Sequence, residues 1–597
     1  MIGTYAAVLA ICAASLAIGQ AAIALCGARR WSWLSPAVGL ALLCALCWGT
    51  VRLPGDGVVS AVVVLVLTIG AVAYLRGRVE GTGEALAAGW PVALGALLAT
   101  ALPFLAEGHF GILGTSFNPD MSQHLLAADR LAEGHSSQLL VQGYPLGPHA
   151  IVVALNKGLG IGLVQGFTGL TIAVAVLASL TALAAFRELP VLPRTAGPLL
   201  IGLAYLVASY FAQGAFKETM QALFLLAFVL ALREAQLTWT SPLRFVPAAL
   251  IAVGSIYTYS FPSLIWLGAT AVLWLLLIAV GGRVRKPRAS SAGVSGARTG
   301  PAATGDLGPS PVRALLLALL MFLVLVLPEL GRMLDFHSFE TFDPNGPGLG
   351  NLFGQISPFE ALGIWPSGDF RLAPGDGAVP AIGYYLGVAF ALVLLAYGLV
   401  WLWRRRESAI LSGLAAAALA YGAARVAGTP YTAAKAIEIA APLVALAILM
   451  PPLSTRLFLF VAEDRKGTGE VARRVVGVGF VVVAGVCSLL ALANAPIGPT
   501  SYSSTLSEYR KLVGEGPTLV LASPQLLEEE HGEPFLAWEL RGGRVCIKSR
   551  EDPGVPPGVR FVIRDEDGWT LTKVKGSRPG KSPCPLIAVR QARQGPR

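Results

Sequence analysis

TYAAVLAICAASLAIGQAAIALC, from Thr4 to Cys26, carries no charged side chain along its whole length. A helix of about 20 such residues matches the hydrocarbon thickness of a bilayer. The stretch lacks a basic start, and no small-residue cleavage site followed by soluble sequence closes it, so it reads as a retained helix and not as a signal peptide. Comparable runs recur at Gly57–Leu75 and Ala314–Leu330. Of the 597 residues 55% are hydrophobic and 13% charged, and one soluble core could not hide that much apolar side chain. The chain is expected to be an all-α polytopic membrane protein.

Counting outward from that run gives about 14 transmembrane helices, near 3–25, 35–51, 57–75, 89–106, 161–186, 196–214, 217–233, 244–260, 262–281, 313–330, 380–403, 408–426, 436–454 and 474–495. Alternate loops are basic: Arg29 and Arg30, Arg76 and Arg78, Arg187 and Arg194, Arg233 and Arg244, then Arg404 to Arg406. These belong in the cytoplasm by the positive-inside bias. The net charge of +10 therefore reports topology; no basic stripe with interleaved aromatics indicates nucleic acid. The mixed or acidic segments 107–160 and 331–379, both termini and everything after about 496 then face outward from a plasma membrane.

The chain divides into helices 1–281, a Gly-, Ala-, Ser-, Pro- and Arg-rich cytoplasmic linker 282–312 too polar to order itself, helices 313–499, and an outward α/β domain over 500–597. In that domain strands are expected at 517–522, 560–563, 569–574 and 585–589, with helices at 504–513 and 533–540. Cys546 and Cys584 both lie there and can form a disulfide. Cys44 and Cys47 fall inside an apolar run, where packing is the expected role.

The outward loops carry the unusual residues. Asn118-Pro119-Asp120 precedes the helical pattern MSQHLLAADRLAEG, so Asp120 can cap a helix. His124 falls on the same face one turn on, and the pair can hold a divalent ion or orient an acceptor hydroxyl. His149 closes Tyr144-Pro145-Leu146-Gly147-Pro148-His149, and 148–160 is expected to lie along the outer interface. Lys217 and Glu218 stand where two apolar runs nearly touch, and ionisable groups at such places usually mark a substrate path. In the second loop Trp365 reads as an interfacial anchor, while Asp369 and Arg371 either pair across a turn or bind sugar hydroxyls and phosphate. Arg425 and Lys435 flank the join of two late helices; Lys435 is placed to pair with Glu438, or to meet a lipid phosphate. No Walker, GxSxG, HExxH or paired CxxC motif is present.

The segment NPDMSQHLLAADRLAEG, Asn118–Gly134, resembles the region in which the GT-C superfamily of polytopic membrane glycosyltransferases places its catalytic aspartate. The resemblance spans roughly 90–495. QGAFKE, GNLFGQISPFEALGIWPSGDFR and AAKAIEIAAP look like recurring features of actinobacterial glycosyltransferase-like membrane proteins. The resemblance implies that Asp120, with His124, deprotonates an acceptor hydroxyl or, as a ligand to Mg or Mn, orients it. It implies a sugar donor on a polyprenyl phosphate, a glycan or lipid acceptor, and a role in the cell wall. His149, Lys217, Glu218, Asp369, Arg371, Arg425 and Lys435 become candidates for substrate binding, with the cations meeting the lipid phosphate.

Two other readings fit the helices: a transporter or flippase of lipid-linked glycans, or an assembly protein working through 500–597. Transporters commonly show related halves and charges near mid-depth. Here no internal repeat is visible and the ionisable residues cluster at one face, which favours the enzyme.

Overall fold

The computed structural model describes residues 1–115, 120–134, 138–187, 189–237, 241–283, 311–337, 348–454, 468–498, 504–514, 516–528, 532–541, 545–552, 554–566 and 568–574. The linker expected at 282–312, the strand at 585–589 and Cys584 fall largely or wholly outside them.

The helices in chain order are α1 Ile2–Leu25, α2 Ser35–Thr50, α3 Asp56–Leu75, α4 Thr82–Glu107, α5 Met121–Ala132, α6 Gln138–Val141, α7 Gly147–Leu159 and α8 Leu163–Phe186. Then come α9 Val191–Gly202, α10 Tyr205–Ala212, α11 Phe216–Leu237, α12 Val246–Tyr259, α13 Ser263–Arg283, α14 Pro311–Val326 and α15 Leu330–Phe336. The last membrane helices are α16 Ala381–Arg405, α17 Ser408–Ala427, α18 Pro430–Ser454 and α19 Thr468–Ala493.

All fourteen expected segments are helical, but the count of crossings is lower. Among the described residues 11 helices are long and apolar enough to cross a membrane, or 12 if α9 and α10, bent by 52°, form one span. The other two, α2 and α12, are shorter apolar helices. Apolar content marked both correctly; their length is what sets them apart.

Burial divides the helices into two classes. Helices α8, α11 and α18 are almost wholly enclosed, whereas α3, α13, α14 and α16 show much of their surface. Their outward residues are Leu, Ile and Val, such as Leu65 and Ile69 on α3 and Leu316 and Leu323 on α14. Lipid tolerates such a surface because it is as apolar as the side chains themselves. What brings membrane helices together is close packing, and α1 against α2 shows how. Ser15 and Gly19 face Ser35 and Gly39, each pair spaced i,i+4. A Cβ on Gly39 would lie 1.8 Å from the Ser15 carbonyl oxygen, and one on Gly19 2.0 Å from that of Ser35.

The basic loops gather at one end of the bundle. Arg30 pairs with Glu80 at 3.7 Å, and Arg233 grips Glu407 with bonds of 2.7 and 2.8 Å. At the other end a two-stranded antiparallel link, β1 Ile112–Leu113 with β2 Ile497–Gly498, ties the first large loop to the chain leaving α19. The expected interfacial helix over 148–160 is not at the surface. As α7 it is buried along Gly147–Leu155 beside α2, α3, α5 and α8, because its Ile, Val and Ala residues find protein on most sides.

The C-terminal segment forms α20 Ser504–Glu508, α21 Arg510–Val513, β3 Thr518–Ala522, α22 Pro524–Glu528, α23 Gly532–Glu539, β4 Val545–Ser549, β5 Phe561–Asp565 and β6 Trp569–Lys573. Strand order is β4-β3-β5-β6, with β3 parallel to both neighbours and β6 antiparallel to β5. β3 reads TLVLA and is buried at all five positions, as a central strand covered on both faces requires. β4 was not expected, since Lys548 interrupts its apolar pattern. Cys546 on β4 is disulfide-bonded.

Gly39→Val inserts branched bulk where no space exists, so the helices must separate. Thermal unfolding in detergent should show a loss of about 1–3 kcal/mol. Gly49→Ala on the same helix, where a Cβ meets nothing within 4 Å, should leave stability within about 1 kcal/mol. Equal behaviour of the two variants would exclude the close contact as a source of stability.

Candidate functional site

Three helix starts meet at the end of the bundle opposite the basic loops, and each is built by a local sequence signal. Helix α10 stops in a Schellman motif: Ala215 N–H donates to the Tyr210 carbonyl at 3.0 Å and Gly214 N–H to that of Phe211 at 2.9 Å. Gly214 takes φ +71°, a conformation that favours glycine. A Cβ there would also press on the Leu113 carbonyl at 2.5 Å. The chain then restarts at once as α11, which puts Lys217 and Glu218 in its first turn. Helix α18 opens with Thr429 and Thr432 capping each other reciprocally: Thr432 N–H donates to Thr429 Oγ1 at 3.2 Å, and Thr429 N–H to Thr432 Oγ1 at 2.9 Å. Pro430 follows at the first helical position, where its missing N–H does no harm.

The third start is α5. Asp120 stands at its N-cap, but its side chain makes no capping hydrogen bond. It lines a small cavity of about 30 Å³ with Met121, His124, the turn Gln213–Ala215, Phe216, Lys217, Glu218, Tyr210, Tyr431 and Lys435. Five of the residues singled out from sequence therefore converge: Asp120, His124, Lys217, Glu218 and Lys435.

Their pairing was only half foreseen. Lys435 Nζ binds Glu218 Oε1 at 2.9 Å, and not Glu438, whose buried carboxylate oxygens have no hydrogen-bond partner. Lys435 also lies 4.1 Å from the Tyr431 ring, and Lys217 lies 4.0 Å above that of Tyr144. Lys217 remains in electrostatic contact with Asp120, Glu218 and Lys435. The loop carrying Tyr144 is held by Arg332, whose guanidinium donates to the carbonyls of Leu140 and Tyr144 and pairs with Glu329 at 3.3 Å.

Behind the cavity His124 packs among His149, Tyr144, Phe167 and Phe216. His149 Nε2 lies 3.2 Å from His124 Nδ1. His149 does not line the cavity; it backs the residue that does. Asp369 and Arg371 also lie outside, paired across a turn at 2.8 Å, with Arg371 over the Phe353 ring at 4.4 Å. They reach the site indirectly: Arg371 approaches the Asn351 carbonyl at 3.5 Å, and the Asn351 amide donates to Gln213 on the cavity wall. Arg425 is exposed and donates to Gln355, away from the cavity. Trp365 is no interfacial anchor. It is 2% exposed and packs edge-on against Tyr384.

Tyr431, Tyr210 and Gln213 were missed from sequence, and only the proximity of Tyr431 to Lys435 could have suggested one of them. Among the described residues no three of His, Cys, Asp and Glu gather in a way that suits a metal ion, and two lysines share the cavity with Asp120. The described residues of this cavity do not supply a ligand set for the expected divalent ion.

Burial, with neighbouring His149, Lys217 and Lys435, holds His124 well below the usual imidazole range; burial alone pushes His149 down to about 3. Both rings stay neutral in the fold, while in the unfolded chain they take up protons near the usual 6.5. Their contribution to stability is therefore full above about pH 6.5 and is lost as pH falls toward the folded value. Thermal unfolding at pH 7.5, 6.5 and 5.5 should show progressive loss in the parent. His149→Phe should reduce the slope by up to about 1.4 kcal/mol per pH unit below 6.5; an unchanged slope would rule the pair out as its source.

No family model and no curated protein matches this sequence. A structural comparison finds similarity to the arabinofuranosyltransferase AftD from Mycobacteria, at 14% sequence identity with a TM-score of 0.49. The match covers 80% of this chain and 35% of that one, so the present chain spans about a third of its structural neighbour.

Proposed function

We propose that this chain is a membrane glycosyltransferase that moves a sugar from a polyprenyl-phosphate donor to a hydroxyl of a glycan or lipid acceptor, with its site on the extracytoplasmic side. The observation that carries this reading is the meeting of Asp120, Lys217, Glu218 and Lys435 in one cavity, from three segments far apart in sequence. Asp120 stands at a helix start without capping it and lines the cavity together with the two lysines. The cavity opens where apolar helices end, so a lipid-borne phosphate reaches it without leaving the bilayer surface.

In this reading the acceptor hydroxyl attacks the anomeric carbon and Asp120 takes its proton. The bond from that carbon to the phosphate oxygen breaks, and the electron pair leaves with the polyprenyl phosphate. Charge grows on that phosphate as the bond breaks, and Lys217 and Lys435 are fixed cations placed to stabilise it. Glu218 holds Lys435 in place against its own long side chain. The gathering of the basic loops at the opposite end supports an outward site, by the positive-inside bias.

The test supplies purified protein in nanodiscs with a panel of radiolabelled polyprenyl-phosphate sugars and membrane-derived acceptor. Asp120→Asn should lower the transfer rate about 10²- to 10⁴-fold with donor binding little changed. Lys217→Met should raise the donor KM and lower kcat. Full activity of Asp120→Asn would remove the assignment. Trans-bilayer movement of the lipid without any transfer would replace it with the flippase reading.

A further inference from the structure

A second cavity, of about 300 Å³, lies between the far end of α5, the start of α8 and the C-terminal helix α23. Asp129, Glu133, Asn156, Gln165, Trp538 and Arg541 supply its polar lining. Helix α5 connects it to the first cavity: Asp120 begins that helix, and Asp129 lies nine residues on, about 13 Å along the axis. We infer that this cleft is a saccharide-binding subsite, which holds neutral sugar units of an acceptor chain beyond the hydroxyl presented to Asp120. The inference rests on the glycosyltransferase reading for its role, but the binding chemistry stands on the cleft itself.

Two buried polar groups there have nothing to bond. Trp538 is 3% exposed and its indole N–H has no acceptor; Asp129 Oδ2 is buried without a donor. Such groups are uncommon in folded proteins and costly to leave unsatisfied. A ligand that both donates and accepts would satisfy both at once, and a sugar hydroxyl does so. The amides extend the same complementarity. Asn156 gives its Nδ2 to the Ile161 carbonyl at 2.9 Å, and Gln165 accepts from Gly162 N–H at 3.1 Å. That leaves an acceptor oxygen on one and a donor nitrogen on the other.

Charge decides between a neutral sugar and an anion. Asp129 and Glu133 are balanced by Arg541 and by Lys157, which pairs with Glu133 at 3.3 Å. Of the charged residues that line the cleft two are carboxylates and one, Arg541, is a cation, which gives no net attraction for phosphate; in the first cavity two lysines balance Asp120 and Glu218. Arg541 is also committed locally: it lies 4.0 Å from the Trp538 ring and donates to the Trp538 carbonyl at 2.9 Å. It fixes the indole and is not an open anion hook. The size suits a short run of sugars and exceeds one ordered water many times over.

The experiment measures binding of maltopentaose, cellopentaose, mannopentaose and arabinopentaose to the full chain in nanodiscs, by calorimetry and saturation-transfer NMR. At least one should bind, with its affinity weakened tenfold or more by Asp129→Asn and by Trp538→Phe. The thermal midpoints of both variants should stay near the parent's, so that loss of binding is not loss of fold. Sodium phosphate and vesicles of anionic lipid should not compete. Asp120→Asn should bind the same oligosaccharide as the parent, so full transfer by that variant would sink the catalytic assignment and leave this one standing. No binding by any of the four, binding by both cleft variants as tight as the parent's, or competition by phosphate or anionic vesicles would overturn the inference.

Discussion

The buried ion pair between Lys435 and Glu218, 2.9 Å apart, is the contact on which the rest of the molecule turns. It joins α11 to α18, two of the most enclosed helices, from the first turn of α11 to the second turn of α18. A charge at such a place costs several kcal/mol unless its partner is held close. Satisfying both charges requires that the starts of α11 and α18 lie close together. The Gly214 turn and the Thr429–Thr432 cap set where each helix begins. The cavity lies where these two starts meet that of α5.

Much of the fold was legible because a bilayer asks so little of a sequence. Length, apolar content and the placement of arginines locate the helices, since the backbone must satisfy itself within each segment. Two of the fourteen are too short to cross, and α7 is inside the protein. Hydropathy does not separate a helix that faces lipid from one that faces other helices. Trp365 failed for the same reason, because an aromatic beside a proline looks identical at a membrane surface and in a core. Burial on α16 and α8 differs greatly although both have a mean hydropathy of 2.2.

Within the site, residue type was legible and partnership was not. Asp120, His124, Lys217, Glu218 and Lys435 stand out as polar residues at the ends of apolar runs. Their mutual arrangement depends on contacts across more than two hundred residues, and no local rule reports those. The spacing of Lys435 and Glu438 suggested a pair by helical geometry, yet Glu218 offered a shorter and better bond from another helix. The capping role of Asp120 was a fair local expectation too. In the structure the side chain makes no capping hydrogen bond and instead lines the cavity, in electrostatic contact with Lys217.

Asp369 and Arg371 show what remains for residues that stand near a site without entering it. Their salt bridge makes the loop after α15 rigid, and Arg371 is held further by the Phe353 ring. Through Asn351 that rigidity reaches Gln213, which forms the wall facing Asp120. Gly350 brings the same loop against Tyr431, where even a Cβ would lie 2.6 Å from the ring. The second outer loop therefore braces both the Gln213 turn and the α18 start, the two elements that carry Lys217, Glu218 and Lys435. Charges that a reading of sequence assigns to substrate serve to hold in place the charges that line the cavity, at the starts of two helices enclosed by the rest of the protein.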